Sequence, residues 1–176
     1  MSQGDVPLWI SPVALARLSV ETYVKEGQIV PVPAALPPEL TERAGVFVSL
    51  KKLGELRGCI GTYEPLCRNI AEEIIHNAVK SATADPRFAP VQRQELPMLT
   101  YSVDVLTRPE LVESREQLDP SRYGVIVEWA GRRGLLLPDL PGVERVEQQL
   151  EIACAKARIR PTAPYLVYRF EVRRYY

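Results

Sequence analysis

The sequence contains very few of the residues that build metal centres and hydrolytic triads. Its only histidine is His76, and its three cysteines, Cys59, Cys67 and Cys154, form no CxxC pair. Zinc sites with several imidazoles are therefore excluded, and the odd cysteine count favours reduced thiols over disulfides. A Ser-His-Asp triad is not expected either, because His76 is predicted on the solvent-exposed face of its helix and no GxSxG pattern occurs. Phosphate-binding glycine patterns of the Walker and dinucleotide types are also absent. We accordingly expect no metal and no cofactor.

The sequence also lacks a net charge and any long apolar run. Its 22 lysines and arginines balance 22 aspartates and glutamates, which excludes bulk electrostatic attraction to nucleic acid but allows a local basic patch. No apolar run approaches the roughly 18 residues that span a bilayer, and no signal-peptide pattern occurs near the first residue. The expectation is a cytoplasmic protein with no membrane span.

Chain length and apolar content are sufficient for a domain that folds by itself. The chain has 176 residues, of which 46% are hydrophobic, so it can bury one core or two small subdomains that share a core. Proline is abundant, with 16 residues, or roughly twice the average usage of about 5%. Stiff loops of this kind are typical of heat-adapted proteins, and a thermophilic source is one expectation.

The first 44 residues predict a helix followed by a connector. A Ser-Pro start and repeated apolar positions predict a helix over residues 11–26. The stretch IVPVPAALPPEL, residues 29–40, contains four prolines and predicts an irregular connector.

The remaining sequence repeats one order of elements. Residues 45–107 contain two β-rich runs, then a helix that starts at Pro65, then an alternating strand. Residues 123–176 contain the same elements in the same order, and their last element is one alternating strand over residues 165–176. We infer an internal duplication of two ββαβ units within a single domain over 1–176. The predicted fold class is α+β, with a larger and a smaller subdomain, mostly antiparallel sheets and a cleft between the subdomains that is a natural place for a site.

Cys59 is the candidate catalytic residue. It lies in the stretch ELRGCIGT, where strict alternation places Arg57 and Cys59 on one face and Leu56 and Ile60 on the other. A neighbouring guanidinium lowers the pKa of a thiol and makes it nucleophilic. The alternative is that Cys59 is a small apolar residue that fills a gap in the core.

Several residues near Cys59 are candidate binding residues. Lys51 is predicted on the same side as Arg57, and Gly58 and Gly61 would leave backbone amides available to a bound anion. Asp85 and Arg87, in the stretch DPRF, predict a turn in which the arginine either pairs with the aspartate or reaches into the cleft.

Three further residues have weaker claims to a function. Arg133 belongs to GRRG, read as a hairpin turn that binds phosphate or is simply solvated. Cys67 is predicted in the first helical turn, where the helix dipole stabilises a thiolate, although partial burial is the alternative. Cys154 lies in an apolar helical stripe and predicts core packing.

Longer stretches of the sequence resemble the AMMECR domain family. The stretches GVFVSLKKLGELRGCIGT, DPRFAPV, VDVLTRPE, GVIVEWAGRRGLLLP and CAKA follow in the order found in that family, from about Gly45 to the C-terminus. The resemblance implies an α+β domain of two subdomains with an interface cleft near the LRGCIG motif. The positions that match are Leu56, Arg57, Gly58, Cys59, Ile60 and Gly61, with secondary matches at Asp85, Arg87, Phe88, Arg133, Gly134 and Cys154.

The family resemblance also implies a cellular context. Relatives are often encoded or fused with a Memo-like protein and a radical S-adenosylmethionine protein, which implies a modification pathway with these proteins as partners. Three hypotheses follow. The chain is an enzyme or enzyme subunit that uses Cys59 beside Arg57; or a non-catalytic module that binds a small anionic ligand, a nucleic-acid component or a protein; or the motif is structural, with Arg57 paired to an acid such as Asp104.

Overall fold

The structure, a computed structural model, describes residues 10–176. In this range the helices are α1 (Pro12–Glu26), α2 (Pro38–Thr41), α3 (Ile70–Thr83) and α4 (Val146–Ala157). The strands are β1 (Val46–Lys52), β2 (Glu55–Thr62), β3 (Leu99–Leu106), β4 (Glu110–Leu111), β5 (Gly124–Trp129), β6 (Arg132–Leu136), β7 (Leu166–Phe170) and β8 (Val172–Tyr175). The strands form two antiparallel sheets of four, which confirms the predicted α+β class.

The first compact unit runs to Val105 and also contains Arg174–Tyr176. Its sheet has the strand order β2-β1-β3-β8, so β2 is an edge strand. Helix α3 packs against β1 and β2, and α1 packs against α3. Val46, Val48 and Leu50 of β1 are fully buried on the face toward α3, because alternate side chains of a strand point to opposite faces.

Capping residues fix where the helices of this unit begin. Ser11 Oγ accepts a hydrogen bond from Ala14 N at 3.1 Å, so α1 starts as predicted. Helix α3 starts at Ile70, where Asn69 caps the first turn, and the predicted start at Pro65 is wrong. The proline-rich connector likewise contains one short helical turn, α2, because Pro38 occupies the first helical position, where a missing N–H costs nothing.

The second compact unit is Leu106–Arg173. Its sheet has the order β4-β7-β5-β6, and α4 packs against β5 and β6. Cys154 is fully buried in the core of this unit, as the apolar stripe predicts. No helix in the described part of the chain is long and apolar enough to cross a membrane.

Both units contain a hairpin with a two-residue turn. The turn residues are Leu53 and Gly54 in the first hairpin, with φ of 52° and 88°, and Ala130 and Gly131 in the second, with φ of 47° and 74°. Two successive positive φ angles define the type I′ turn, whose twist matches that of the strands. Arg133 therefore lies in β6 rather than in a GRRG turn, which corrects the sequence interpretation.

The predicted strand over 165–176 is two strands in different sheets. β7 belongs to the second sheet and β8 to the first. The chain changes sheets at Glu171, whose N–H donates to Thr107 Oγ1 and whose carbonyl accepts from Thr107 N. Alternation along this segment is continuous, so the sequence does not mark the break.

Candidate functional site

A β-bulge at Arg57 sets the geometry of the LRGCIG strand. Leu50 pairs with Gly58, but the next residue of β1, Lys51, pairs with Leu56, which leaves Arg57 as the extra residue of β2. Directly paired residues of antiparallel strands share a face. Leu56 therefore lies on the face of Lys51 and Cys59, and the predicted common face for Leu56 and Ile60 is wrong.

Arg57 is committed to a carboxylate, and that carboxylate is Glu95 rather than Asp104. Arg57 Nε and Nη2 donate to the two oxygens of Glu95, each at 3.0 Å, and Lys52 Nζ contacts Glu95 Oε1 at 2.9 Å. Both members of the pair are largely buried, with 15% and 11% of the side chain exposed. Hydrogen bonds from Arg57, aided by the Gln92 N–H and Lys52, lower the pKa of Glu95 to about 2.

The Cys59 thiol faces away from α3 and contacts Ser49. Ser49 is the cross-strand partner of Cys59 and its hydroxyl donates to Sγ at 3.1 Å. Burial raises the pKa of the Cys59 thiol, and the Ser49 hydrogen bond and the charge of Arg87 only partly oppose it. The cation that acts on this thiol is therefore Arg87, which corrects the role expected for Arg57. The thiol is protonated near neutral pH.

The backbone of Cys59 is held by the DPRF turn. Asp85 Oδ2 accepts a hydrogen bond from Cys59 N at 2.9 Å, and Arg87 Nη2 donates to Cys59 O at 3.4 Å. Arg87 also binds both carboxylate oxygens of Asp85, at 3.0 and 2.7 Å, and thereby holds the pKa of that carboxyl well below its usual range. Because β2 is an edge strand, this ion pair satisfies backbone groups that a neighbouring strand would otherwise pair. The LRGCIG strand and the DPRF turn thus bind each other.

Gly58 and Gly61 are required by close packing. A Cβ atom on Gly58 would overlap the carbonyl oxygen of Ser81 in α3, and one on Gly61 would overlap the ring of Phe47 on the neighbouring strand. Gly58 therefore allows the strand and the helix to approach each other, and Gly61 lets an aromatic ring cover the strand.

Sequence reasoning missed three buried polar residues of α3, which together with Asp85 of the DPRF turn form what we call the polar stripe: Glu73, Asn77, Ser81 and Asp85. All four bind β1, β2 or the loop that follows β2: Glu73 accepts from Leu66 N and Cys67 N, Asn77 donates to Val46 O, and Asp85 accepts from Cys59 N. Ser81 Oγ accepts from Ile60 N at 2.8 Å and donates to Val48 O at 2.7 Å, bridging β1 and β2. The spacing of four was a visible signal, since it places Glu73, Asn77 and Ser81 on one face of α3, and Asp85 follows in the turn after the helix.

Cys67 lies before α3, outside the first helical turn in which it was predicted. Burial and the nearby charge of Glu73 raise its pKa to about 11. The expected effect of the helix dipole is therefore outweighed, and Cys67 is not an activated thiol.

The sequence of this chain matches the model of a known protein family. The sequence matches the AMMECR1 family model over residues 13–175. The chain belongs to the AMMECR1 family. The matched range includes both the LRGCIG strand and the DPRF turn, so the contacts between them lie within the part of the chain that the family model describes.

Relatives in the AMMECR1 family occur in bacteria and archaea. A protein of Thermotoga maritima is 50% identical over 159 residues, which are 89% of this chain and 91% of that protein. Protein CA_C1420 of Clostridium acetobutylicum is 49% identical over 165 residues, which are 93% of this chain but 35% of the relative, so this chain spans about a third of that longer protein. Several relatives come from thermophilic hosts.

A solved structure of a relative has the same fold. The crystal structure of the uncharacterised protein PH0010 from Pyrococcus horikoshii superposes with a TM-score of 0.85 and 37% identity, covering 93% of this chain and 88% of that chain. The architecture described above is therefore that of the AMMECR1 family.

The candidate binding residues belong to both compact units. In the first unit, β2 contains Arg57 and Cys59, and the DPRF turn beside it contains Asp85 and Arg87. The centroid of the Phe88 ring lies 5.9 Å from Arg57 Cζ and 5.5 Å from Arg87 Cζ. Lys51 is exposed near the tip of the first hairpin. Arg133 belongs to the second unit, where its Nε binds Glu128 Oε2 at 2.8 Å. In the described residues no group of three or more His, Cys, Asp and Glu side chains could hold a metal ion.

Proposed function

We propose that the chain is a non-catalytic binding module that docks a partner protein through the tip of its first hairpin. The observation that carries this proposal is the way in which Cys59 is held. Its backbone is bound by Asp85 and Arg87, its thiol by Ser49, and its pKa is raised by burial. A protonated, half-buried thiol with these contacts has a structural role rather than that of a nucleophile.

The tip of the first hairpin is the part of this motif that is exposed to a partner protein. Leu53 and Leu56 are exposed by 80% and 41%, and Lys51 pairs with Leu56 across the strands. The side chain of Lys51 is exposed and makes no hydrogen bond or ion pair with another described residue. Two exposed leucines beside an unpaired cation suit a protein surface with an apolar pocket and a carboxylate. The Memo-like and radical S-adenosylmethionine proteins implied by the family resemblance are the partners to test first.

The test is the affinity of the purified chain for the Memo-like protein and for the radical S-adenosylmethionine protein of the same genome, measured by calorimetry. Lys51→Glu and Leu53→Ser should each weaken binding at least about tenfold, since each removes a central contact. Lys80→Glu, which changes an exposed lysine of α3, and Cys59→Ser should not. Binding that is lost with Cys59→Ser and kept with Lys51→Glu would refute the proposal, as would no binding to either protein.

A second candidate function is an enzyme, or enzyme subunit in a modification pathway, with Cys59 as its nucleophile or covalent carrier. Two contacts favour it, because the Ser49 hydroxyl and the Arg87 charge both act to lower the pKa of the Cys59 thiol. The comparison of iodoacetamide labelling rates near pH 7 separates the two functions. The binding module predicts slow labelling of Cys59, no faster than that of Cys67, which is similarly half-buried. Labelling of Cys59 that is much faster, and that slows in an Arg87→Ala variant, would favour the enzyme.

A further inference from the structure

The second unit contains a cavity rich in arginine that the proposed function does not use. The cavity has a volume of about 450 Å³ and is lined by Thr107, Arg108, Glu110, Arg122, Tyr123 and Arg169, together with Phe170 and Glu171. All of these residues belong to Leu106–Arg173. A volume of this size accommodates a small organic ligand.

Two of the three guanidinium groups are held in place by the protein. Arg122 Nε donates to Glu171 Oε1 at 2.7 Å, and Arg169 donates to Glu110 Oε2 at 3.3 Å and to Gln117 O at 2.8 Å. Both guanidinium groups also contact the ring of Tyr123, with Cζ 4.9 and 4.6 Å from its centroid. They are therefore preorganised, and each cavity carboxylate is neutralised by one of them.

Tyr123 is itself anchored from within the unit. Its carbonyl accepts a hydrogen bond from Nε2 of the fully buried Gln149 at 2.8 Å, and its N–H donates to Asp119 O at 2.7 Å. The aromatic wall of the cavity thus has a fixed backbone.

The third guanidinium supplies the uncompensated charge. Arg108 is exposed and makes no hydrogen bond or ion pair with any described residue. Arg122 uses only Nε for its carboxylate, so its two terminal nitrogens remain available for a ligand. Thr107 Oγ1 accepts from Glu171 N, which leaves its own proton free to donate. These donors line the same cavity.

We infer that this cavity binds a small phosphomonoester. Its phosphate is bound by Arg108, Arg122 and the Thr107 hydroxyl, because guanidinium groups match phosphate oxygens in geometry and charge. The organic group occupies the remaining volume beside Tyr123. Phosphate is favoured over a carboxylate because its additional oxygens can accept hydrogen bonds from Arg108, Arg122 and the Thr107 hydroxyl together.

The test uses phenyl phosphate, inorganic phosphate and benzoate as probes at low ionic strength, with the arginine Nε–H resonances of the full chain followed by NMR. Phenyl phosphate should shift the Arg108 and Arg122 resonances in a saturable way and bind more tightly than inorganic phosphate. Arg108→Ala should weaken this binding at least tenfold, which corresponds to about 1.4 kcal/mol. Arg160→Ala, which removes an exposed arginine of the same unit outside the cavity, should not change it, nor should Lys51→Glu.

Three results would overturn the inference. The first is no saturable shift with phenyl phosphate, and the second is the same affinity in the Arg108→Ala variant. The third is that benzoate binds as tightly as phenyl phosphate, which would make the cavity a carboxylate site. Because Arg108 is exposed and unpaired, its substitution should leave the circular dichroism spectrum unchanged, so a loss of binding reports on the cavity.

Discussion

At the scale of single residues, Glu95 is the group on which the Arg57 side chain depends. Replacing it by glutamine would leave a largely buried guanidinium without its carboxylate. We expect Glu95→Gln to lower the free energy of unfolding by on the order of 3 kcal/mol at pH 7, as measured by urea denaturation. Glu128→Gln is the matched control: it removes the carboxylate of the more exposed Arg133 pair and should cost much less.

The Glu95 pair also predicts a pH dependence. The pKa of Glu95 is lowered from an ordinary value near 4.5 to about 2 in the folded chain. A carboxyl group with a lowered folded-state pKa stabilises the fold above its unfolded-state pKa, and this stabilisation is lost as the pH falls toward the folded-state value. The difference in stability between the native chain and Glu95→Gln should therefore shrink between about pH 4.5 and pH 2. A constant difference across that range would contradict this assignment.

The sequence identified Arg57 and Cys59 but not their relation. Alternation predicted Arg57 as the cation beside the Cys59 thiol, whereas Arg57 binds Glu95 and the cation that acts on the thiol is Arg87. The bulge at Arg57 also moved Leu56 to the face of Cys59. A bulge adds one residue to one strand and reverses the faces beyond it, and no local sequence signal placed it at Arg57. Glu95 was missed for a similar reason, since it is 38 residues away in sequence and only the fold brings it to Arg57.

At the scale of elements, the polar stripe of α3 joins the helix to the first hairpin. Ser81→Ala would leave Val48 O and Ile60 N without the hydroxyl that bridges them. We expect a loss of about 1–3 kcal/mol in the free energy of unfolding, because unpaired buried backbone groups are costly. Thr83→Ala on the same helix removes a hydroxyl that bonds only within the helix, at Val79 O, and should change stability by less than about 0.5 kcal/mol. Equal effects of the two substitutions would refute the bridging role.

The elements themselves were largely predictable. The Ser-Pro start located α1, and the alternation in β3 and the apolar stripe of α4 identified those elements. The start of α3 was not predicted correctly, because Pro65 suits a first helical turn as well as Asn69 suits a cap. Glu73 sets the start of α3, because its carboxylate accepts hydrogen bonds from Leu66 N and Cys67 N and holds the segment before the helix in a loop.

At the scale of the whole molecule, the chain returns to its first sheet at the very end. Arg174 of β8 donates to both oxygens of Asp104, at 2.7 and 3.2 Å, and Asp104 is buried. We expect Arg174→Ala to destabilise the first unit by about 2 kcal/mol, because it leaves a buried carboxylate unpaired. The measurement is amide hydrogen exchange in β1 and β3. Arg173→Ala, an exposed neighbour, should leave exchange unchanged. Protection that survives Arg174→Ala would show that the ion pair with Asp104 is dispensable for the first sheet.

The sequence by itself determined the fold class and the order of the main elements, because these depend on local periodicity, caps and turn chemistry. The family followed from the resemblance of its motifs to those of known members. The tertiary structure alone decided what those motifs do. It placed Arg57 on Glu95, bound Cys59 to Asp85, Arg87 and Ser49, and placed Arg122 and Arg169 against the ring of Tyr123. These relations depend on a bulge, on buried ion pairs and on contacts between residues far apart in sequence. No short stretch of a sequence records such interactions, since each requires both partners to be in place.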